Sequence, residues 1–385
     1  MRLRYLASRT LLSVALGVLL LFGRPTLAQR VYSVVYAFTG GTDGGNPRTG
    51  MTHDADGNIY GTTYFGGDSR CNSPVGCGVV FKLDRFQTFS VIHSFSGGRE
   101  GKYPFGNLAL DAAGNLYGTT VKGGGSYGTV FSIDPSGTLA TIHAFQFSDG
   151  AYPYSGAILD AKGNLYGTTT DGGEVGNGTV FKIDNSGNFS MLLSFSGTAL
   201  FPIGPLLADK DGQLLGTSKL SVSGDGTVFQ ADASGNLTVL HNFTGSDGGY
   251  PASGLVRDSS GSLYGTTEIG GDFGKGTVFK LDPTGTLTVL HSFSLNDGTL
   301  PLGGLILSGK GLLYGTTSQG GASGGGTVFK LDSVTGQFLV IHRFAGGTDG
   351  QFPSATLCTD ADGALLGTTY GGGTYGYGTV FIITP

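Results

Sequence analysis

Three short markers recur seven times along this chain, and no other feature limits its possible folds as strongly. The first, Leu-Tyr-Gly-Thr-Thr and close variants, has its glycine at Gly61, Gly118, Gly167, Gly216, Gly265, Gly315 and Gly367. The intervals are 57, 49, 49, 49, 50 and 52 residues. Gly-Thr-Val-Phe follows each copy, opening at Gly78, Gly128, Gly178, Gly226, Gly276, Gly326 and Gly378. The third, Val-Leu-His-Ser-Phe and variants, ends at Phe38, Phe95, Phe145, Phe195, Phe243, Phe293 and Phe344.

Within one unit, residues 254–257, 263–267, 277–281 and 287–293 read as four short strands, designated a, b, c and d. In d, Val289, His291 and Phe293 share one face and Thr288, Leu290 and Ser292 the other, which is the period of a strand. Asp258-Ser-Ser-Gly261 separates a from b, and Asp282-Pro-Thr-Gly285 separates c from d. Ten tight connections of the chain follow this Asp-x-x-Gly pattern, a type I turn closed by a residue of positive φ. Each unit is therefore an antiparallel meander. The 73 glycines exclude a helical solenoid, the 13 prolines exclude collagen, and 39% hydrophobic residues exclude disorder. Four strands per period of about 50 residues predict an all-β, seven-bladed β-propeller. The first d strand, at 31–38, stands alone, and the last unit stops after c. Ring closure by residues 31–38 joining the last blade completes seven sets and hides an open edge.

Residues 1–28 read as a secretory signal peptide: Arg2, Arg4 and Arg9 precede an apolar run over 11–22, with a cut expected near Ala28. The run is too short for a comfortable membrane span, and no later stretch approaches one. The propeller is then expected to occupy 29–385 as a single domain. Removing Arg2, Arg4, Arg9 and Arg24 leaves 18 basic against 27 acidic residues, a net charge of −9. Such a balance disfavours nucleic acid and anionic lipid as partners. The expected location is extracellular, periplasmic or at the cell surface.

The unit over 149–170, Asp-Gly-Ala-Tyr-Pro-Tyr-Ser-Gly-Ala-Ile-Leu-Asp-Ala-Lys-Gly-Asn-Leu-Tyr-Gly-Thr-Thr-Thr, followed by Gly178-Thr-Val-Phe-Lys-Ile-Asp, resembles the bacterial GloVer tandem repeat. The resemblance runs through nearly all of the chain after residue 28. It implies an exported or surface-exposed repeat protein and assigns no activity. Many such proteins carry a C-terminal sorting anchor; with Pro385 directly after a strand, free export is the expectation here.

In a meander blade the a-b and c-d turns share one face of the ring, and the longer b-c and d-a connections share the other. The variable face is the candidate binding surface. Its d-a loops place Asp149 near Tyr152, Asp247 near Tyr250, Asp297 near Leu300 and Asp349 near Phe352, each before a proline. Its b-c loops carry Tyr127, Phe273, Tyr375 and Tyr377. An aromatic ring with a carboxylate suits stacking and hydrogen bonding to a sugar, or collection of a cation. Against this, the same carboxylate can cap its own turn while the ring packs on the adjacent blade. Copying in unit after unit favours architecture.

His93, His143, His241, His291 and His342 share one position in strand d, where Tyr36 and Leu193 also occur. On outer strands of separate blades they lie too far apart to share a metal. No metal or cofactor is expected. Glu100, Glu174 and Glu268 all fall on the variable face and are the acid/base candidates of an alternative reading, an extracellular polysaccharide hydrolase or lyase. No Cys-x-x-Cys or His-Glu-x-x-His motif supports an enzyme, and no tryptophan is present for the propeller enzymes that depend on it. Cys71 and Cys77 bracket the one enlarged b-c loop and are expected to form a disulfide in an oxidising compartment, with Cys358 left as a buried thiol. The leading expectation is an exported scaffold that binds a glycan, an envelope component or a protein.

Overall fold

The computed structural model describes residues 31–384 apart from 198, 210, 211, 223 and 361. The signal-peptide reading of 1–28 lies outside the described residues. Seven antiparallel sheets make the seven blades, and among the described residues the only helix is a 3-10 turn, Gly347–Asp349. In the fifth blade strands a to d are Val256–Arg257, Leu263–Thr267, Thr277–Leu281 and Leu287–Ser292. Strand a of the second blade is longer, Lys102–Leu110. In the fourth blade it is split into Leu200–Pro202 and Leu207–Ala208, both paired to strand b. The first strand, Val31–Ala37, pairs antiparallel with the last, Thr379–Thr384, from Val31 opposite Thr384 to Ala37 opposite Thr379. Closure occurs as the sequence predicts.

Each marker residue has a separate task. The glycine of Leu-Tyr-Gly-Thr-Thr faces the ring of the Gly-Thr-Val-Phe phenylalanine across the b-c pair. A Cβ at Gly265 would lie 2.6 Å from Phe279 Cζ, and one at Gly61 2.5 Å from Phe81 Cζ. The tyrosine reaches back to the a-b turn: the hydroxyls of Tyr60, Tyr117, Tyr166 and Tyr264 donate to Asp54, Asp111, Asp160 and Asp258 at 2.9–3.2 Å. The first threonine joins blades, since Thr119, Thr217 and Thr266 Oγ1 donate to the Pro153, Ser253 and Pro301 carbonyls, just ahead of strand a in the next blade. The second bonds the Gly-Thr-Val-Phe threonine, as Thr267 with Thr277 at 2.9 Å.

The core lies between blades. The phenylalanine ending strand d meets the strand-c phenylalanine of the next blade edge-on, with centroids 5.1–5.4 Å apart in all seven gaps, from Phe38–Phe81 to Phe344–Phe381. All these rings are essentially inaccessible to solvent, and T-shaped pairs contribute beyond their area. Strand a is innermost. The small residues at its start crowd the axis, where Gly50 N–H donates to Asn107 Oδ1 at 2.8 Å and Gly304 N–H to Thr356 Oγ1 at 2.9 Å. A central pocket lined by all seven blades holds only about 70 Å³. A ligand larger than a few waters does not fit within it.

The Asp-x-x-Gly turns form as expected. Gly57 N–H donates to Asp54 O, Asp54 N–H to Asn58 O, and Asp54 Oδ1 accepts from the backbone of Asp56 and Asn58. For Asp54, Asp111, Asp160 and Asp258, burial pushes the carboxyl pKa up. The bonds it accepts outweigh that and hold it below the usual range.

Candidate functional site

On the variable face, the residue before each d-a proline takes a left-handed backbone: Asn46, Tyr103, Tyr152, Phe201, Tyr250, Leu300 and Phe352 have φ of 52–62°. That costs an L-residue about 1–2 kcal/mol. The compensation lies in the adjacent blade: the N–H groups of Tyr103, Tyr152, Tyr250 and Phe352 donate to the carbonyls of Cys77, Tyr127, Asp225 and Gly325 at 2.8 Å. The proline that follows sits on the Gly-Thr-Val-Phe glycine of that blade, as Pro301 on Gly276. These aromatic positions are joints of the ring before they are anything else.

The carboxylates of the same loops turn away from the aromatic rings. Asp247 accepts from Thr244 N–H and meets His241 Nε2 at 2.8 Å. Asp297 meets His291 at 3.0 Å and Asp349 meets His342 at 3.1 Å. His143 Nε2 lies 3.2 Å from Asp149 without hydrogen-bond alignment. Glu100 takes the same place, bonded by Ser96 and 3.4 Å from His93. The histidines also stack on the next blade, His143 on Phe189 and His291 on Phe338, with centroids 3.7 Å apart. They are joints as well, and among the described residues no three His, Cys, Asp or Glu could hold a metal. Glu174 is exposed in the third blade's b-c loop, and Glu268 is held by Lys219 Nζ, 3.0 Å from both oxygens. The three glutamates thus occupy unlike environments on different blades.

Burial lowers the pKa of His143, His291 and His342, opposed by their carboxylates. A depressed histidine pKa stabilises the fold above the unfolded value of about 6.5, and the effect is lost as pH falls through the folded value. The turn carboxylates act likewise from about pH 4 downward. The melting temperature is therefore expected to decline on acidification from pH 7 to 5 and more steeply below 4. Calorimetry across that range checks this, and a Tm rising from pH 7 to 5.5 would contradict it.

The outer variable face carries exposed apolar residues, among them Val175, Val222, Phe273, Leu295, Tyr375 and Tyr377. Tyr127 packs on Phe147, with centroids 5.5 Å apart. Sequence reading missed the inner ring around the channel mouth. Two positions per unit vary there: the residue after Leu-Tyr-Gly-Thr-Thr, and the residue after the d-a proline, which lines the opening as Arg48, Phe105 and Tyr154 do. The first is Tyr64, Val121, Thr170, Lys219, Glu268, Ser318 and Tyr370 in chain order, and the second begins Arg48, Phe105, Tyr154. Aromatic residues gather on blades seven, one, two and three. The Arg48 guanidinium lies 4.3 Å from the Tyr370 centroid and 5.3 Å from that of Tyr64. Tyr64 stacks on Tyr103 at 4.9 Å, and Phe105 meets Tyr154 edge-on at 5.1 Å. Burial raises the hydroxyl pKa of Tyr64 and Tyr154. Both positions vary from copy to copy while flanked by fixed markers, a signal that aligning the units would have shown.

Cys71 and Cys77 are disulfide-bonded, with Cα atoms 5.7 Å apart. The closed loop braces the aromatic arc, since Cys77 O accepts from Tyr103 N–H and the Asn72 amide meets the Tyr103 hydroxyl. Mass spectrometry without reductant is expected to recover the linked peptides, whereas free thiols would refute the bridge. Cys71→Ser with Cys77→Ser is expected to cost at most about 2.4 kcal/mol in denaturant unfolding, from loop entropy. Burial pushes the Cys358 thiol up to about 12.

The Gloeobacter/Verrucomicrobia repeat family matches residues 24–220 and 201–385. The chain belongs to that family. No curated protein matches it. Among solved structures, oligogalacturonate lyase from Vibrio parahaemolyticus is similar at 10% identity, covering 93% of this chain and 94% of the other, with TM-score 0.56. The extracellular domain assigned to a hybrid two component system of B. thetaiotaomicron is similar at 10% identity and TM-score 0.59. That match covers 91% of this chain and 39% of the other, so this member of the repeat family spans about two fifths of that protein. At such identities the likeness is one of fold. No helix among the described residues is long and apolar enough to cross a membrane.

Proposed function

We propose that this repeat protein is an exported binding module that holds a glycan at the aromatic mouth of its channel. The reading rests above all on the confinement of Tyr370, Tyr64, Phe105 and Tyr154, around Arg48, to one arc of an otherwise repeated ring. Architecture demands the same residue in every blade. These positions escape that demand, and function is the remaining constraint on them. Flat rings supply stacking faces for the apolar side of a sugar, and Arg48 supplies hydrogen-bond donors at its edge. The d-a and b-c loops extend the surface outward through Tyr127, Tyr152, Tyr250, Phe352 and Tyr375. The glutamates of the enzymatic alternative are separately placed, which supports binding without turnover.

A glycan array probed with the purified protein is the direct test. Binding that Tyr64→Ala weakens about tenfold, with an unchanged melting temperature, is the expected result; tenfold corresponds to about 1.4 kcal/mol. Failure to bind any glycan would refute the reading.

A further inference from the structure

Strand a of the second blade breaks a local rule. Lys102 stands directly opposite Lys122 of strand b, two like charges at a paired register position. Such a pair is unfavourable in a sheet. In the other six blades the same two places hold Gly45 and Phe65, Ala151 and Asp171, Leu200 and Leu220, Gly249 and Ile269, Thr299 and Gln319, and Gln351 and Gly371. The second blade alone pairs two cations there.

Lys102, Lys122 and Arg99 line a groove of about 570 Å³ with Ser126 and Tyr152. Among the described residues, the carboxylates within ion-pair distance of a lysine or arginine serve Arg70, Lys219 and Arg257, and none serves Arg48, Arg99, Lys102 or Lys122. Glu100, next to Arg99 in sequence, is turned to Ser96 and His93. Lys102, on the wall of this groove, also connects it to the aromatic arc, since its Nζ lies 5.3 Å from the Tyr103 ring. Cations and rings therefore lie together along one strip: Tyr370, Arg48, Tyr64, Tyr103 and Lys102. A concentration of unpaired positive charge is notable on a chain with 27 acidic and 22 basic residues.

We infer that the ligand is an anionic polysaccharide. Its sugar rings stack on Tyr64 and Tyr103, and its acidic substituents occupy the Arg99, Lys102 and Lys122 groove and the Arg48 guanidinium. This deepens the glycan reading and rests on it. Two like charges at one register position favour an anion that lies between them.

The test is titration calorimetry of the full chain with polygalacturonate, dextran sulfate, neutral galactan and polyglutamate, each at several salt concentrations. Wild-type protein is compared with Lys102→Gln/Lys122→Gln. Expected are binding to an acidic polysaccharide that weakens with salt, and at least a tenfold loss together with a shallower salt slope in the variant. A melting temperature of the variant equal to or above that of the wild type is also expected, which a merely structural role for the lysines would not give. The first two polymers distinguish carboxylate from sulfate ester as the anion. Galactan bound as tightly as the acidic polymers, polyglutamate bound as tightly, or an unchanged variant each overturns the inference while leaving a glycan-binding mouth in place. Absence of binding to every saccharide overturns both.

Discussion

A chain that begins after residue 38 is expected to lose cooperative unfolding and to aggregate. The first strand supplies the whole outer edge of the seventh blade, and its removal uncovers Thr379–Thr384, a strand of apolar residues with free backbone groups. Ring contacts go with it, among them Phe38 against Phe81, Tyr36 stacked on Phe89 at 3.9 Å, and Tyr32 stacked on His342 at 3.8 Å. Loss of one buried phenylalanine alone costs about 3–5 kcal/mol. These aromatic contacts and six backbone pairings therefore approach the whole stability of an ordinary domain, about 5–15 kcal/mol. Calorimetry and size-exclusion chromatography check this. A monomer melting cooperatively at the parental temperature would rule out ring closure as a source of stability.

Gly265→Ala is expected to destabilise by about 1–3 kcal/mol, as for an overpacked core. The new Cβ would stand 2.6 Å from Phe279 Cζ and 3.0 Å from Leu255 Cδ2, and neither can retreat from a filled inter-blade gap. Relief should come from the partner: Phe279→Leu in the same chain is expected to recover part of the loss, giving a favourable coupling in a double-mutant cycle. Strictly additive effects in urea unfolding would show that the glycine is not there to admit the ring.

Much of the fold could be read in the sequence, because each marker residue acts the same way seven times and repetition exposes such roles. Gly265 and Phe279, Tyr264 and Asp258, and Phe293 and Phe329 recur at fixed offsets, so the blade and its closure followed from spacing. The variable face was also legible, and the copying of its d-a loops favoured an architectural role for their carboxylates. Asp247, Asp297 and Asp349 looked available to a ligand, yet each lies six or seven residues beyond a histidine, and the turn of the d-a loop brings the two together. Asp247 and Asp297 also accept from Thr244 N–H and Ser294 N–H within that turn, a closure that residue types do not announce. Tyr64, Tyr370 and Arg48 were passed over for the opposite reason: they belong to no marker. Their proximity arises from the ring, which sets residues 48 and 370 side by side.

The chain crosses its own seam at that mouth. Blade seven is held shut without a covalent bond, by pairing of the first described strand with the last. Arg48 and Asn46 follow the first strand, and Tyr370 precedes the last. Asn46 Nδ2 donates to the Tyr370 carbonyl at 2.9 Å, and the Arg48 guanidinium lies over its ring. A molecule resting on Arg48 and Tyr370 together would fasten the two ends of the polypeptide to each other. Occupancy then becomes mechanical: the filled mouth acts as a clasp on the ring, and the pull needed to peel the first strand from the last rises with every contact the ligand makes on both sides.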